Sequence, residues 1–244
     1  MNEFTGRINA RYSGVQQYFN LKKTNDSLMA ANRDLLNRLS ENFAASSPAT
    51  GQWVDSLKMD SARNVRKIRY YEARVVSHSV STQNNFIVID RGSSGGIRTG
   101  MGVVDPNRAA VGIVVEVNEH YSVIMSLLHK DSHISGKLET GGETGTLSWD
   151  GKEPGLLQLN GIPKSAKIRK GDPVITSGYS TSFPYGLKLG RVHAVYKKKS
   201  ASQYEVVFRS AANFYHLPYV YVIENADAQG VETILNQTLK DHSN

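Results

Sequence analysis

The chain has no cysteine. That excludes a disulfide framework, thiolate zinc sites, cysteine-ligated iron–sulfur clusters and a cysteine nucleophile. It leaves the compartment open, because exported proteins can also lack cysteine. Long apolar runs are missing as well. The longest are 109–115, which contains a glycine, and 219–223. A spanning helix needs about 20 apolar residues, so none is expected within the chain. Met1 to Arg7 hold no basic stretch followed by an apolar one, so no signal peptide is expected. The chain is then either cytoplasmic or a fragment whose leader or anchor has been removed. No GxGxxG motif follows a strand pattern and no Walker-type phosphate loop is present. Nucleotide chemistry therefore has no support and no cofactor is expected.

Glycine is scarce in one part only. Residues 1–72 contain 3 of the 21 glycines and residues 73–244 contain the other 18. One composition cannot describe both parts, so the chain reads as two structures joined near residue 70. Its 244 residues allow one large domain or two small ones. The net charge of +7 is spread rather than patched. Eleven basic face seven acidic residues before position 73, and eighteen face fifteen after it. That is weak support for a nucleic-acid partner.

Residues 7–43 contain one glycine and no proline. Ile8, Tyr12, Val15 and Phe19 are spaced by 4, 3 and 4, and Leu28, Ala31, Leu35 and Leu39 form a second run. Leu21, Leu28 and Leu35 repeat every seven residues. This is the seam of a coiled coil, with a stutter near Lys22–Asn25 where the two runs fall out of phase. Residues 1–44 are therefore assigned as a coiled-coil helix. Its apolar stripe is too narrow for burial all round and implies a partner surface, either a second chain or the chain's own globular part. Residues 45–72 read as a neck. A proline-bearing break at Ala44–Gly51 precedes a basic stretch from Lys58 to Arg74, with Asp55 just before it and Asp60 and Glu72 within it, and best read as solvated.

From residue 73 the helical period gives way to short strands. They are expected at 73–81, 86–89, 101–104, 111–117, 121–128, 133–138, 145–149, 156–159, 173–176, 187–197, 204–209 and 219–224. About a dozen strands with no helical pattern between them argue for an antiparallel sandwich or barrel. Two small packed barrels over 73–225 account for that many. Residues 226–244 carry Val231, Ile234, Leu235 and Leu239 at helical spacing and read as a short terminal helix or tail.

Ser94, inside Arg91-Gly92-Ser93-Ser94-Gly95-Gly96, is a candidate nucleophile with His78 and Asp90 as its partners. In a double-barrel serine protease the histidine sits in the first barrel and the serine deep in the second. Here all three fall in the first, so the glycines are better explained by a turn. His129 and His133 are four apart but flank a loop, which makes two surface histidines the default over a metal site.

One block is more specific. Gly171-Asp172-Pro173-Val174-Ile175-Thr176-Ser177-Gly178 is followed by Phe183-Pro184-Tyr185-Gly186 and Gly190-Arg191-Val192. Together with Ile89-Asp90-Arg91-Gly92, Gly95-Gly96-Ile97, Gly100-Met101 and Val111-Gly112-Ile113-Val114, it resembles the bacterial rod-shape-determining MreC family over roughly residues 15–225. Gly92, Gly100, Gly171, Asp172, Thr176, Ser177, Gly178, Phe183, Pro184, Gly186 and Gly190 read as fold-defining positions. One departure stands out: Arg108 and Ala109 occupy a turn where the family leads one to expect glycine, which puts the hairpin type there in question.

The resemblance implies a mainly β fold, with a long helix followed by two six-stranded antiparallel barrels in a trypsin-like arrangement without the triad. It implies a non-enzymatic scaffold of the elongation machinery that builds lateral cell wall. Such a scaffold dimerises through its coil, self-assembles further and binds the elongation penicillin-binding transpeptidase. It associates with MreD and MreB through a membrane part, and lies on the extracytoplasmic, periplasmic face of the inner membrane, anchored by a helix that these residues do not include. The alternative is a degenerate serine-protease-like hydrolase.

The coil seam at Ile8, Val15, Leu21, Leu28, Ala31, Leu35 and Leu39 predicts a homodimer. Light scattering at high micromolar concentration should give twice the chain mass, and Leu28→Asp with Leu35→Asp should lower it toward the monomer.

Overall fold

The computed structural model describes residues 3–39, 42–45, 64–66, 68–196 and 203–225. Helix α1 runs Glu3–Arg38. The uninterrupted helical pattern leads one to expect it to reach residue 43, but it ends five residues earlier. Leu39 and Asn42 turn the backbone through bonds from Leu39 N–H to Leu36 O and from Asn42 N–H to Leu39 O. The buried Asn42 amide then donates to the Leu36 carbonyl. An asparagine thus takes a carbonyl that helix continuation would have used. β1 (Phe43–Ala45) and β2 (Asn64–Arg66) follow as a separate antiparallel pair.

Twelve further strands make two closed barrels. The first uses β3 (Ile68–His78), β4 (Asn84–Ile89), β5 (Gly102–Val104), β6 (Ala110–Val117) and β7 (Ser122–His129). The second uses β8 (Ile134–Leu138), β9 (Thr144–Ser148), β10 (Leu156–Pro163), β11 (Pro173–Thr176), β12 (Lys188–Tyr196) and β13 (Gln203–Ser210). β14 (Tyr219–Asn225) returns to the first. The strand orders are β14-β3-β4-β7-β6-β5 and β10-β13-β12-β11-β8-β9, with every neighbouring pair antiparallel. Closure leaves neither sheet with a free edge.

Alternation decides which side chains fill each barrel. Ile87 and Ile89 of β4 and Ile124 of β7 point into the first, while Leu157 and Leu159 of β10 and Val206 and Phe208 of β13 point into the second. β3 starts at Ile68, inside the stretch read as neck. Tyr70 is buried there and meets Tyr221 edge-on at 6.4 Å. The basic residues Arg66, Lys67, Arg69 and Arg74 give the segment the composition of a solvated linker and hide its period of two. The tail at 226–244, the Lys197–Lys199 run and most of the neck lie outside the described residues.

The barrels touch through specific close approaches. Gly102 on β5 faces Ser182 and Phe183 of the second barrel, where a Cβ would stand 2.3 Å from the Ser182 carbonyl oxygen and 2.7 Å from the Phe183 ring. Ala109 bridges Lys188 on β12. The turn before Ala109 is held by buried Asp105. Its Oδ1 accepts the N–H groups of Asn107 and Ala109 at 2.8 Å each. Burial pushes this carboxyl above its ordinary pKa, and those two donors pull it back. The result forces Arg108 to φ +63°, the one non-glycine residue at positive φ among the described residues. This is the turn where the family resemblance called for glycine.

Two substitutions should therefore move stability in opposite directions. Arg108→Gly removes left-handed strain but loosens the unfolded chain, for a net gain of at most about 1 kcal/mol. Gly102→Ala overpacks the inter-barrel contact and should cost about 1–3 kcal/mol. Urea midpoints at pH 7 measure both.

Candidate interaction sites

The last turns of α1 lie on β3 and β14. Met29 is buried, and the Tyr221 hydroxyl donates to its carbonyl at 3.2 Å. Tyr219 donates to Asp26 at 2.8 Å. Asn37 pairs with the Tyr70 backbone at both ends, its Nδ2 donating to Tyr70 O at 3.1 Å and its Oδ1 accepting Tyr70 N–H at 2.8 Å. An amide used this way imitates one more rung of β-pairing. Arg33 and Arg91 converge on Glu72 at 2.7 and 3.3 Å. These contacts fix which way the helix is rotated.

That rotation decides the fate of the seam. Leu21, Leu28 and Leu35 stay 58%, 59% and 63% exposed, with Ala31 and Leu39 also exposed. The side chains of Ile8 and Val15 lie outside the described residues. The helix therefore uses one face on its own barrel and leaves the leucine repeat uncovered. Residues missed in the sequence, above all Asn37 and Arg33, do the docking. Their polar character hides them from any apolar pattern.

The glycine-rich turn after β4 is organised by Arg91. Its guanidinium lies 5.3 Å from the Tyr71 ring centroid and donates to the carbonyls of Glu72 and Gly95 at 2.8 and 3.0 Å. Gly92 packs against the backbone of Asn118 and Glu119. Ser94 Oγ donates to the Glu119 carbonyl at 2.7 Å. Asp90 is engaged by Arg74 through the backbone N–H at 2.8 Å and the guanidinium at 2.9 and 3.0 Å. Ser94 and Asp90 are thus bonded to other partners, and His78 is exposed at the end of β3. A cleft of about 700 Å³ opens between this turn and α1, with charges of both signs on its walls.

The late block knits one corner of the second barrel. Thr176 Oγ1 donates to Pro184 O at 2.6 Å and accepts Leu187 N–H at 2.9 Å. Ser177 bonds Ser135 at 2.7 Å. Asp172 accepts Arg169 N–H at 2.8 Å, and Phe183 is fully buried toward Gly102. Gly100, Gly171, Gly178 and Gly186 take positive φ, whereas Gly190 is needed because a Cβ would meet Arg209 O at 2.0 Å. Tyr179, at 83% exposure, and Tyr185 stand out from this corner, with Lys137 5.2 Å from the Tyr185 ring centroid.

One expectation is corrected. His129 is not a surface loop residue. It ends β7, is buried, and packs edge-on to Phe86 at 4.9 Å. Its Nδ1 accepts Asp131 N–H at 3.1 Å, which shapes the 130–133 crossing into the second barrel. His133 is exposed, and among the described residues no cluster of three metal-ligating side chains forms. The apolar residues before His129 make β7 long enough to bury it, a signal the polar sequence after it obscures.

A family model described as rod shape-determining protein MreC, barrel core, matches residues 75–224. The cell shape-determining protein MreC of Listeria monocytogenes is 27% identical over 176 residues, covering 70% of this chain and 59% of that protein. The chain thus spans about three-fifths or less of the curated relatives it matches. A solved Listeria MreC structure superposes with a TM-score of 0.61 at 22% identity, over 92% of this chain and 95% of that one. The MreC in a complex with the penicillin-binding protein PBP2 from Helicobacter pylori superposes at 0.54 and 21% identity, over 66% of this chain and 99% of that one.

Burial holds the His129 imidazole below its ordinary pKa of 6.5, with Lys130 adding to that and Asp131 opposing it. The unfolded chain therefore takes up this proton first, and stability falls as pH drops below about 6.5. Urea midpoints at pH 7.5 and 5.5 should differ less in His129→Asn, which keeps an acceptor for Asp131 N–H.

Proposed function

The chain belongs to the MreC family, and from that premise we propose that it is a non-enzymatic scaffold of bacterial cell elongation that holds a penicillin-binding transpeptidase. The single observation that carries this reading is the family match across both barrels, joined to a neighbour of the same fold solved with PBP2. The architecture suits the role. Two closed barrels offer rigid, well-buried supports, and an uncovered leucine repeat offers a self-association surface. The domain plan keeps the order of coil, neck, double barrel and tail, with the helix ending at Arg38 and the first barrel opening at Ile68 rather than at residue 73. In this reading the coil seam pairs two copies. MreD, MreB and an inner-membrane anchor enter through the resemblance alone. Among the described residues no helix is long and apolar enough to cross a membrane.

Ser94 has its hydroxyl bonded to a backbone carbonyl and no histidine bonded to it among the described residues, so the hydrolase alternative gains no observation in its favour.

The reading is tested by immobilising this chain and offering the transpeptidase of the same organism. Saturable retention at micromolar concentration or tighter is expected. No retention, by pull-down and by calorimetry alike, would overturn it.

A further inference from the structure

The late block lines a groove that the fold alone does not explain. The groove is about 410 Å³ and runs along the outer face of the second barrel beside β11, β12 and the end of β13. Its floor is apolar, with Pro173, Ile175 and Ala211. Its rim carries three cations, Lys188, Arg191 and Arg209, against one carboxylate, Glu139.

Two features of the rim point to a ligand. First, Arg191 and Arg209 are direct cross-strand partners in the β12–β13 register. Like charges placed directly opposite each other oppose sheet formation. The fold offers little relief: among the described residues Arg209 reaches only Glu153, at 3.9 Å with both side chains more than half exposed, and Arg191 donates to the Gly171 carbonyl at 3.1 Å. Secondly, a register shift at Leu189 brings Lys188 and Arg191, three residues apart on β12, to the same exposed face, at most roughly 10 Å apart along the strand. Neither has a carboxylate within ion-pair distance among the described residues, although Lys188 contributes to the field at buried Asp105. One carboxylate can chelate the Arg191–Arg209 pair but cannot also reach Lys188.

We propose that this groove is a docking site for an extended acidic peptide segment of a partner protein, with one carboxylate on Arg191 and Arg209, a second on Lys188, and apolar side chains between them on Pro173, Ile175 and Ala211. Charge complementarity selects the occupant's sign, and the concave apolar floor selects a peptide over a flat anionic bilayer. Gly190 lets β12 approach β13 closely, because a Cβ there would strike the Arg209 carbonyl and the buried Phe208 ring. The site stands on the second barrel alone and does not depend on which partner the scaffold reading assigns.

The test uses the full chain, labelled with nitrogen-15, and the capped tetrapeptide Glu-Leu-Leu-Glu beside its neutral counterpart Gln-Leu-Leu-Gln. The acidic peptide should shift amide signals of Ile175, Gly190, Arg191 and Arg209, and more weakly as salt rises. Arg191→Glu with Arg209→Glu should weaken binding by about tenfold or more. The milder Arg191→Gln should weaken it less while leaving the remaining amide spectrum intact, which separates loss of binding from loss of fold. Equal shifts from the neutral peptide, shifts confined to other residues, or no shift at all would overturn the proposal. So would vesicles of one-quarter phosphatidylglycerol in phosphatidylcholine that move these signals when the peptide does not.

Discussion

The pairing of β14 with β3 is the interaction on which the rest of the molecule depends. Its ladder covers seven positions, from Tyr219 opposite Arg74 to Asn225 opposite Ile68. The other side of β14 pairs with β5, so this one strand converts an open five-stranded sheet into a barrel. It also presents Tyr219 and Tyr221 to α1. Near its end Glu224 accepts the Tyr71 hydroxyl at 2.6 Å and pairs with Arg98. Burial alone would raise this carboxyl, but Tyr71, Arg98 and Arg69 outweigh it and hold it below its ordinary range. Closure, helix docking and a charged clasp therefore share one strand.

The inter-barrel contact works by a different logic. It is made of small residues and buried caps, with Gly102 under Phe183, Ala109 beside Lys188, and Asp105 holding the turn between them. Such contacts have little freedom to slide, because the atoms already meet at van der Waals distance. The leucine repeat, the exposed tyrosines and the basic groove are thus presented by supports whose geometry is set in the core.

Much of this architecture is legible from pattern. Short apolar or alternating runs, punctuated by glycine and proline, locate part of each of the twelve barrel strands, although β3 starts five residues before its expected beginning. What pattern cannot carry is pairing between distant segments. Nothing within 219–225 names β3 as its partner, and nothing in Arg191 or Arg209 alone says that they stand opposite each other. Polar side chains with structural duties are hidden for the same reason. Asn37, Asn42 and His129 look solvated in sequence because their bonding partners lie on other elements or in the backbone. The family resemblance did flag Arg108, since a turn that demands positive φ leaves a trace wherever a residue other than glycine fills it.

The return of β14 also fixes an order of events. All six strands of the second barrel are contiguous, from Ile134 to Ser210. The first barrel is interrupted, and its last strand arrives only after the second has been completed. In a chain that emerges from its N-terminus, the C-terminal of the two barrels is the one able to finish first. The N-terminal one must wait as an open sheet with two bare edges for about 90 residues, a span over which non-local pairing is slow and exposed strands invite other chains. The inserted barrel acts as a timer on the closure of its host.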